Sequence, residues 1–175
     1  MKNYTLLIFL VIFGITSCSK QTAGKPPDFS ITLDWQTGSL PQHYQYSYRV
    51  LIGPLPGGEL HYTSADKSKQ LTESFTVTEE QLLELYTYLV DRGALRSNWN
   101  KGDPIDGGPV THILIAAGKK KFFIPERSEL AENERSLVDD LVAEIRSVVP
   151  KPLWEEMNRL QLEYVIGFEN NLETE

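Results

Sequence analysis

Cysteine is almost missing from this chain: a single one stands at position 18 among 175 residues. That excludes an internal disulfide, and with that one thiol blocked no Cys-ligated metal and no Cys–His catalytic pair is left either. Histidine is nearly as scarce. His43, His61 and His112 each lack a second histidine within six positions, so no local zinc pair exists and no metal site is expected. A Gly-x-Ser-x-Gly elbow is absent. Gly57-Gly58 and Gly107-Gly108 lead into no Gly-Lys-Ser/Thr, which removes the phosphate loop. None of these patterns implies a cofactor. Apolar runs stay well below the roughly 18 residues that a spanning helix needs. Positive charge is the minority sign, 17 Lys and Arg against 24 Asp and Glu, for a net charge of −7. A moderately acidic surface disfavours nucleic acid and anionic lipid headgroups as partners.

What is present begins at the N-terminus. Lys2 supplies a positive start, Leu6 to Phe13 is uninterrupted hydrocarbon, and Gly14-Ile15-Thr16-Ser17 leads to Cys18. A basic start, a short apolar middle and small residues at a cleavage point make up a signal peptide. Ile15-Thr16-Ser17-Cys18 resembles the lipobox of bacterial lipoproteins. The resemblance implies that the Cys18 sulfur carries a diacylglyceryl group, that a peptidase cuts before Cys18, and that its new amino group is acylated, palmitate being one such chain. Two acyl chains hold a protein stably at a bilayer. Ser19 stands where inner-membrane lipoproteins of diderm bacteria carry aspartate, so the expected place is the cell envelope and, if the organism is diderm, the periplasm-facing side of its outer membrane. Removing residues 1–17, which hold Lys2 and no acid, leaves 158 residues and a net charge of −8. That length suits one domain with a real core.

The organisation predicted is a signal peptide over 1–17, a polar tether over 18–28, one domain over 29–167 and an acidic tail over 168–175. Phe29, Ile31 and Leu33 alternate with polar residues as in a half-buried strand. Residues 43–52 alternate more clearly still. Tyr44, Tyr46, Tyr48, Val50 and Ile52 share one face, and His43, Gln45, Ser47, Arg49 and Leu51 share the other. Gly53 to Gly58 reverses the chain, and strands follow over 59–63 and 71–77. Thr78 with Gln81 three residues on is a capping box, and Val77 and Leu82 occupy the hydrophobic-staple positions. Leu82, Leu85, Tyr86, Leu89 and Val90 form a helical stripe that Gly93 ends. After a loop over 97–109, a hairpin turns at Ala117-Gly118-Lys119. A second helix spans 132–148 with Leu137, Leu141, Ile145 and Val148 inward. Pro150 stops it, and Pro152 opens a third helix whose stripe is Leu153, Trp154, Met157, Leu160 and Tyr164. The fold class is α+β: an antiparallel sheet of five to six strands with two to three helices mainly on one face.

Candidate binding residues are few. Tyr44, Tyr46 and Tyr48 offer amphipathic rings for an aromatic groove or for packing under helices. The 98–108 loop exposes Trp99, Asp103 and Asp106. It fails as a calcium loop, because aligning Asn98 and Asn100 with the first EF-hand ligands puts Asp103 where glycine is required. Trp154 belongs to a helix stripe that either docks a partner or closes the core. Paired carboxylates such as Glu79-Glu80 and Asp139-Asp140 fall at helix starts or on polar faces, where solvation explains them.

From Phe29 to Tyr164 the chain is similar to small bacterial envelope lipoproteins of unknown function. Phe29-Ser30-Ile31-Thr32, the capped stretch Thr76 to Leu82, and Gly107-Gly108 before a strand carry that resemblance. It implies no activity and no catalytic residues. The expectation is a lipid-anchored, non-enzymatic envelope protein that binds a protein or cell-wall component. The alternative is a ligand-binding or inhibitor-like lipoprotein using the tyrosine face or the 98–108 loop.

Overall fold

Period-two patterning produces six strands: β1 (Ser30–Gln36), β2 (Tyr46–Ile52), β3 (Gly58–Ser64), β4 (Gln70–Phe75), β5 (Val110–Ala117) and β6 (Lys120–Ile124). They form one antiparallel sheet in the order β4-β3-β2-β1-β5-β6. Three helices complete the α+β fold: α1 (Glu79–Asp91), α2 (Glu132–Val148) and α3 (Lys151–Leu172). The computed structural model describes residues 24–172; Cys18, the signal peptide and most of the tether lie outside the described residues.

Register decides which side chains meet. Leu33 pairs with Val50 on one side and Ile113 on the other, and Val50 pairs with Leu60. All four are buried with Ile31, Ile52, Tyr62 and Ile115 under the helices. Each such side chain contributes roughly 1.5–3 kcal/mol on burial. The intervening residues point to the opposite side of the sheet, where none of the three described α-helices packs.

The first helix follows its signals. The Gln81 N–H donates to Thr78 Oγ1 at 3.2 Å, and the Thr78 N–H donates to Gln81 Oε1 at 2.9 Å. Val77 and Leu82, the staple pair, are fully buried, and Gly93 takes φ +66 beyond the C-cap. Leu82, Leu85 and Leu89 face inward. Val90, expected beside them, is 46% exposed.

The second helix has the expected bounds but a rotated face. Its buried residues are Glu134, Val138, Leu141 and Ile145, with Leu137 and Val148 only half-buried. A charged residue opens the inward stripe, so apolar spacing alone places the face one residue off.

The two remaining departures share a cause. Tyr44 lies in a 3-10 turn over Gln42–Tyr44 rather than in β2, since the Tyr44 N–H donates to the Pro41 carbonyl at 2.9 Å. That turn supports the end of α3. The His43 ring stacks on Phe168 at 4.8 Å, and Tyr44 Oη donates to Glu169 Oε1 at 3.1 Å. Anchored there, α3 continues to Leu172 through the stretch expected to begin a tail at 168.

Candidate functional site

Most of the aromatic candidates are spent on packing. Tyr48 is 2% exposed. Trp35 stacks on it at 5.0 Å, Trp154 meets it edge-on at 5.1 Å, and Arg146 donates to its hydroxyl at 2.9 Å. Burial pushes the Tyr48 phenol up to about 12, with Arg146 opposing the rise. Tyr62 is likewise raised to about 12, again mainly by burial. Tyr46 is half-buried against Trp35, and Trp154 Nε1 donates to the Arg146 carbonyl at 3.2 Å. Of the three tyrosines only Tyr44 is exposed, on its separate turn. Of the two readings of this face, Tyr46 and Tyr48 follow the packing one: α2 and α3 lie over them and close a core seam.

Trp99 is also buried. Its Nε1 donates to the Arg96 carbonyl at 3.3 Å, and the Arg96 guanidinium lies 4.3 Å from its ring centre. Arg96 also pairs with the buried Glu134, whose other oxygen accepts from Asn100 Nδ2 at 2.8 Å. These contacts pin the start of the 98–108 loop to α2. Asp103 and Asp106 remain exposed farther along it. The structure thus does not bring the seven candidate binding residues together: Tyr46, Tyr48 and Trp154 pack in the seam between β2 and α3, Tyr44 stands exposed on its turn, Trp99 is buried against Arg96, and only Asp103 and Asp106 stay exposed on the loop.

The open face of the sheet carries a different set. Register aligns His61 on β3, Arg49 on β2, Asp34 on β1 and His112 on β5 in one row across four strands. Arg49 Nε donates to Asp34 Oδ1 at 2.5 Å, and that carboxylate holds the guanidinium above its ordinary range. His61 Nε2 lies 2.9 Å from Glu59 Oε2, its Nδ1 lies 3.3 Å from Thr72 Oγ1, and His112 Nε2 lies 3.5 Å from Glu126 Oε1. The neighbouring row holds Leu51, Leu114 and Phe123, the last 67% exposed. The His61–Arg49–Asp34–His112 row and Leu51 floor a shallow trough of about 710 Å³ along β1 to β3 and β5, with Leu114 and Phe123 outside it.

This face offers alternating donors and acceptors beside hydrocarbon. Among the described residues no three His, Cys, Asp or Glu side chains group as a metal site. The row explains why: His61 and His112 lie three strand spacings apart, roughly 14 Å. Glu59, His61 and Thr72 stand in the order of an acid–base–nucleophile relay, but on the flat exposed rim of the sheet. Cross-strand polar pairing accounts for that contact.

Strand alternation already puts Arg49 and Leu51 opposite the tyrosines. Their alignment with Asp34, His61 and His112 is missing from the sequence because it depends on strand order and register. A six-stranded antiparallel domain with three helices on one face and a polar row on the other is the class that these observations define. The chain matches no protein-family model, and no curated protein is detectably similar to it.

Proposed function

We propose that the protein is a lipid-anchored, non-enzymatic component of the cell envelope whose uncovered sheet face binds a protein partner. The observation that carries the reading is the asymmetry of the sheet. Helices close one side, while the other presents Leu51, Leu114 and Phe123 beside the His61–Arg49–Asp34–His112 row. Mixed hydrocarbon and paired charge suits a protein surface, where charge complementarity fixes register and apolar contact supplies affinity. A cell-wall glycan fits less well. Phe123 is the sole Phe, Tyr or Trp on this face among the described residues, so there is no aromatic platform for a sugar ring.

Anchoring rests on Cys18 and the apolar run before it. Among the described residues no helix is long and apolar enough to cross a membrane. The diacylglyceryl group is the attachment, and the periplasm-facing side of an outer membrane is the place proposed in a diderm organism.

The test is photo-cross-linking in the native envelope with a reactive residue at Leu51 or Phe123, and at Asn158 on α3 as control. A discrete adduct from the open face and none from Asn158 is expected. The Cys18→Ala chain should take up no labelled fatty acid and lose most of the adduct. Equal adducts from both sides would refute the face, and equal fatty-acid labelling would refute the anchor.

A further inference from the structure

The tether enters the domain at one end of the sheet, and the same end gathers the features that suit a bilayer surface. Strand β1 begins at Ser30, which pairs with Ala116 near the end of β5, while Ile31 pairs with Ile52 at the end of β2. The β5–β6 turn (Gly118–Lys119) and the β2–β3 turn (Gly53–Gly57) therefore flank the entering chain. Strand order puts the two turns about 14 Å apart, with the start of β1 between them.

The first turn is basic. Lys119, Lys120 and Lys121 are consecutive and exposed, and none makes a salt bridge with a described residue. Gly118 and Lys119 both have positive φ, +60° and +64°, the signature of a tight two-residue hairpin turn. The Asp28 carboxylate fixes the turn by accepting from both its amides, at 2.8 and 2.6 Å. The lysines are thus held against the residue where the tether joins the fold.

The second turn is apolar. Gly53-Pro54-Leu55-Pro56-Gly57 holds Leu55 at 77% exposure, the highest of any large hydrophobic among the described residues. Phe123, at 67%, lies two residues beyond Lys121 on β6. Carboxylates do occur at this end. Glu79 is paired with Lys25, Glu59 with His61, Asp28 with the turn amides, and Glu80 stands in the first turn of α1. Asp103 and Asp106 belong to the loop before Val110, at the far end of β5. Eight residues at about 3.3 Å each put that loop roughly 26 Å away from the lysines. An acidic protein therefore turns a basic cluster toward its own tether, with the Asp28 carboxylate beside Lys119 the one acidic charge among the described residues held against it.

We infer that the tether end docks flat on the anionic headgroups of the anchoring bilayer, with Lys119–Lys121 against lipid phosphates and Leu55 in the interface. This rests on the proposed lipidation of Cys18. Five residues lie between Cys18 and Gly24, six Cα–Cα steps with a reach of at most about 22 Å, so the end that enters first is confined near the bilayer. Docking would hold the strands upright and leave the open face accessible from the side.

The experiment uses lipidated chain carrying Leu55→Cys, whose thiol is the sole free one because Cys18 is blocked. It is labelled with a polarity-sensitive fluorophore and reconstituted into vesicles of phosphatidylethanolamine with phosphatidylglycerol, or of phosphatidylcholine alone. The chain should float with both. Emission should shift to the blue only on the anionic vesicles, and high salt should reverse the shift. Each lysine is worth about 5-fold near such a surface, so Lys119→Gln, Lys120→Gln and Lys121→Gln together should lower the docked-to-free ratio about 100-fold. Flotation with both vesicles and unshifted emission would overturn the docking and leave the anchor standing. Flotation only with anionic vesicles, with the shift, would uphold docking and refute the anchor; without the shift it would refute both. Flotation with neither would also refute both.

Discussion

Glu134 is the residue whose chemistry most shapes the molecule around it. The residue is 3% exposed, and its carboxylate is engaged by Arg96 on one oxygen and Asn100 on the other. The two partners of the ion pair are not equivalent, because Arg96 keeps about a third of its side chain in water. Removing Glu134 lets the guanidinium hydrate, whereas removing Arg96 strands a buried carboxylate. Glu134→Ala should cost about 2 kcal/mol, in line with charged hydrogen bonds. Arg96→Ala should cost about 3–5 kcal/mol, and the double variant less than the sum. Urea unfolding of the three variants checks this, and an equal cost for the two single changes would argue against it. Glu134 also marks where reading by hydrophobicity fails. The α2 stripe seen through apolar residues runs from Leu137, but the true one starts at Glu134, because pairing replaces hydrocarbon at one inward position. Pairing depends on Arg96, 38 positions away, and spacing within a helix carries no trace of it.

At the scale of elements, local signals were nearly sufficient wherever the chain closes its own hydrogen bonds. Thr78, Gln81 and Gly93 bound α1 because capping is satisfied within four residues of each end. Thr78→Ala removes one of the two reciprocal bonds and should cost about 1 kcal/mol, seen as a lower urea midpoint with an unchanged slope. A value near zero would mean that water caps the helix equally well. Long-range support was less legible. Tyr44 continues the alternation of β2, yet Pro41 directs it into a turn that braces the last turns of α3. The acidic composition after Phe168 reads as a tail, but stacking on His43 and the bond to Tyr44 hold it helical. The candidate site belongs to the same class of missing information. Arg49 and Leu51 were assignable to the outward side of one strand, whereas the row they form needed the order β3-β2-β1-β5.

Across the whole molecule, the two sides of the sheet answer to pH differently. The covered side holds Tyr48 and Tyr62, both neutral in the fold and both raised to about 12. A raised phenol favours the protonated, folded state. Its contribution is complete below about pH 10, the unfolded value, and is lost as pH climbs through the folded value. The helices should therefore come off the sheet between about pH 10 and 12, with phenolate absorbance rising as tertiary circular dichroism falls. Tyr48→Phe removes one of the two contributions and should move that transition upward. A phenolate signal that appears near pH 10 while the fold stays intact would contradict the burial of these rings. The open side has no buried phenol, so the same alkaline range should leave its row of paired charges intact until the sheet itself gives way.

Strand β1 has one more consequence, and it is mechanical. It directly follows the tether, yet it lies inside the sheet, bonded along its length to β2 on one side and β5 on the other. A load between the proposed lipid and a partner held on the open face would enter through Phe29 and run along the axis of β1. Both ladders would be sheared together, and neither would peel bond by bond as an edge strand does. Asp28, clasping the neighbouring hairpin, would carry the first part of the strain. The strand that receives the leash is the one the sheet releases last.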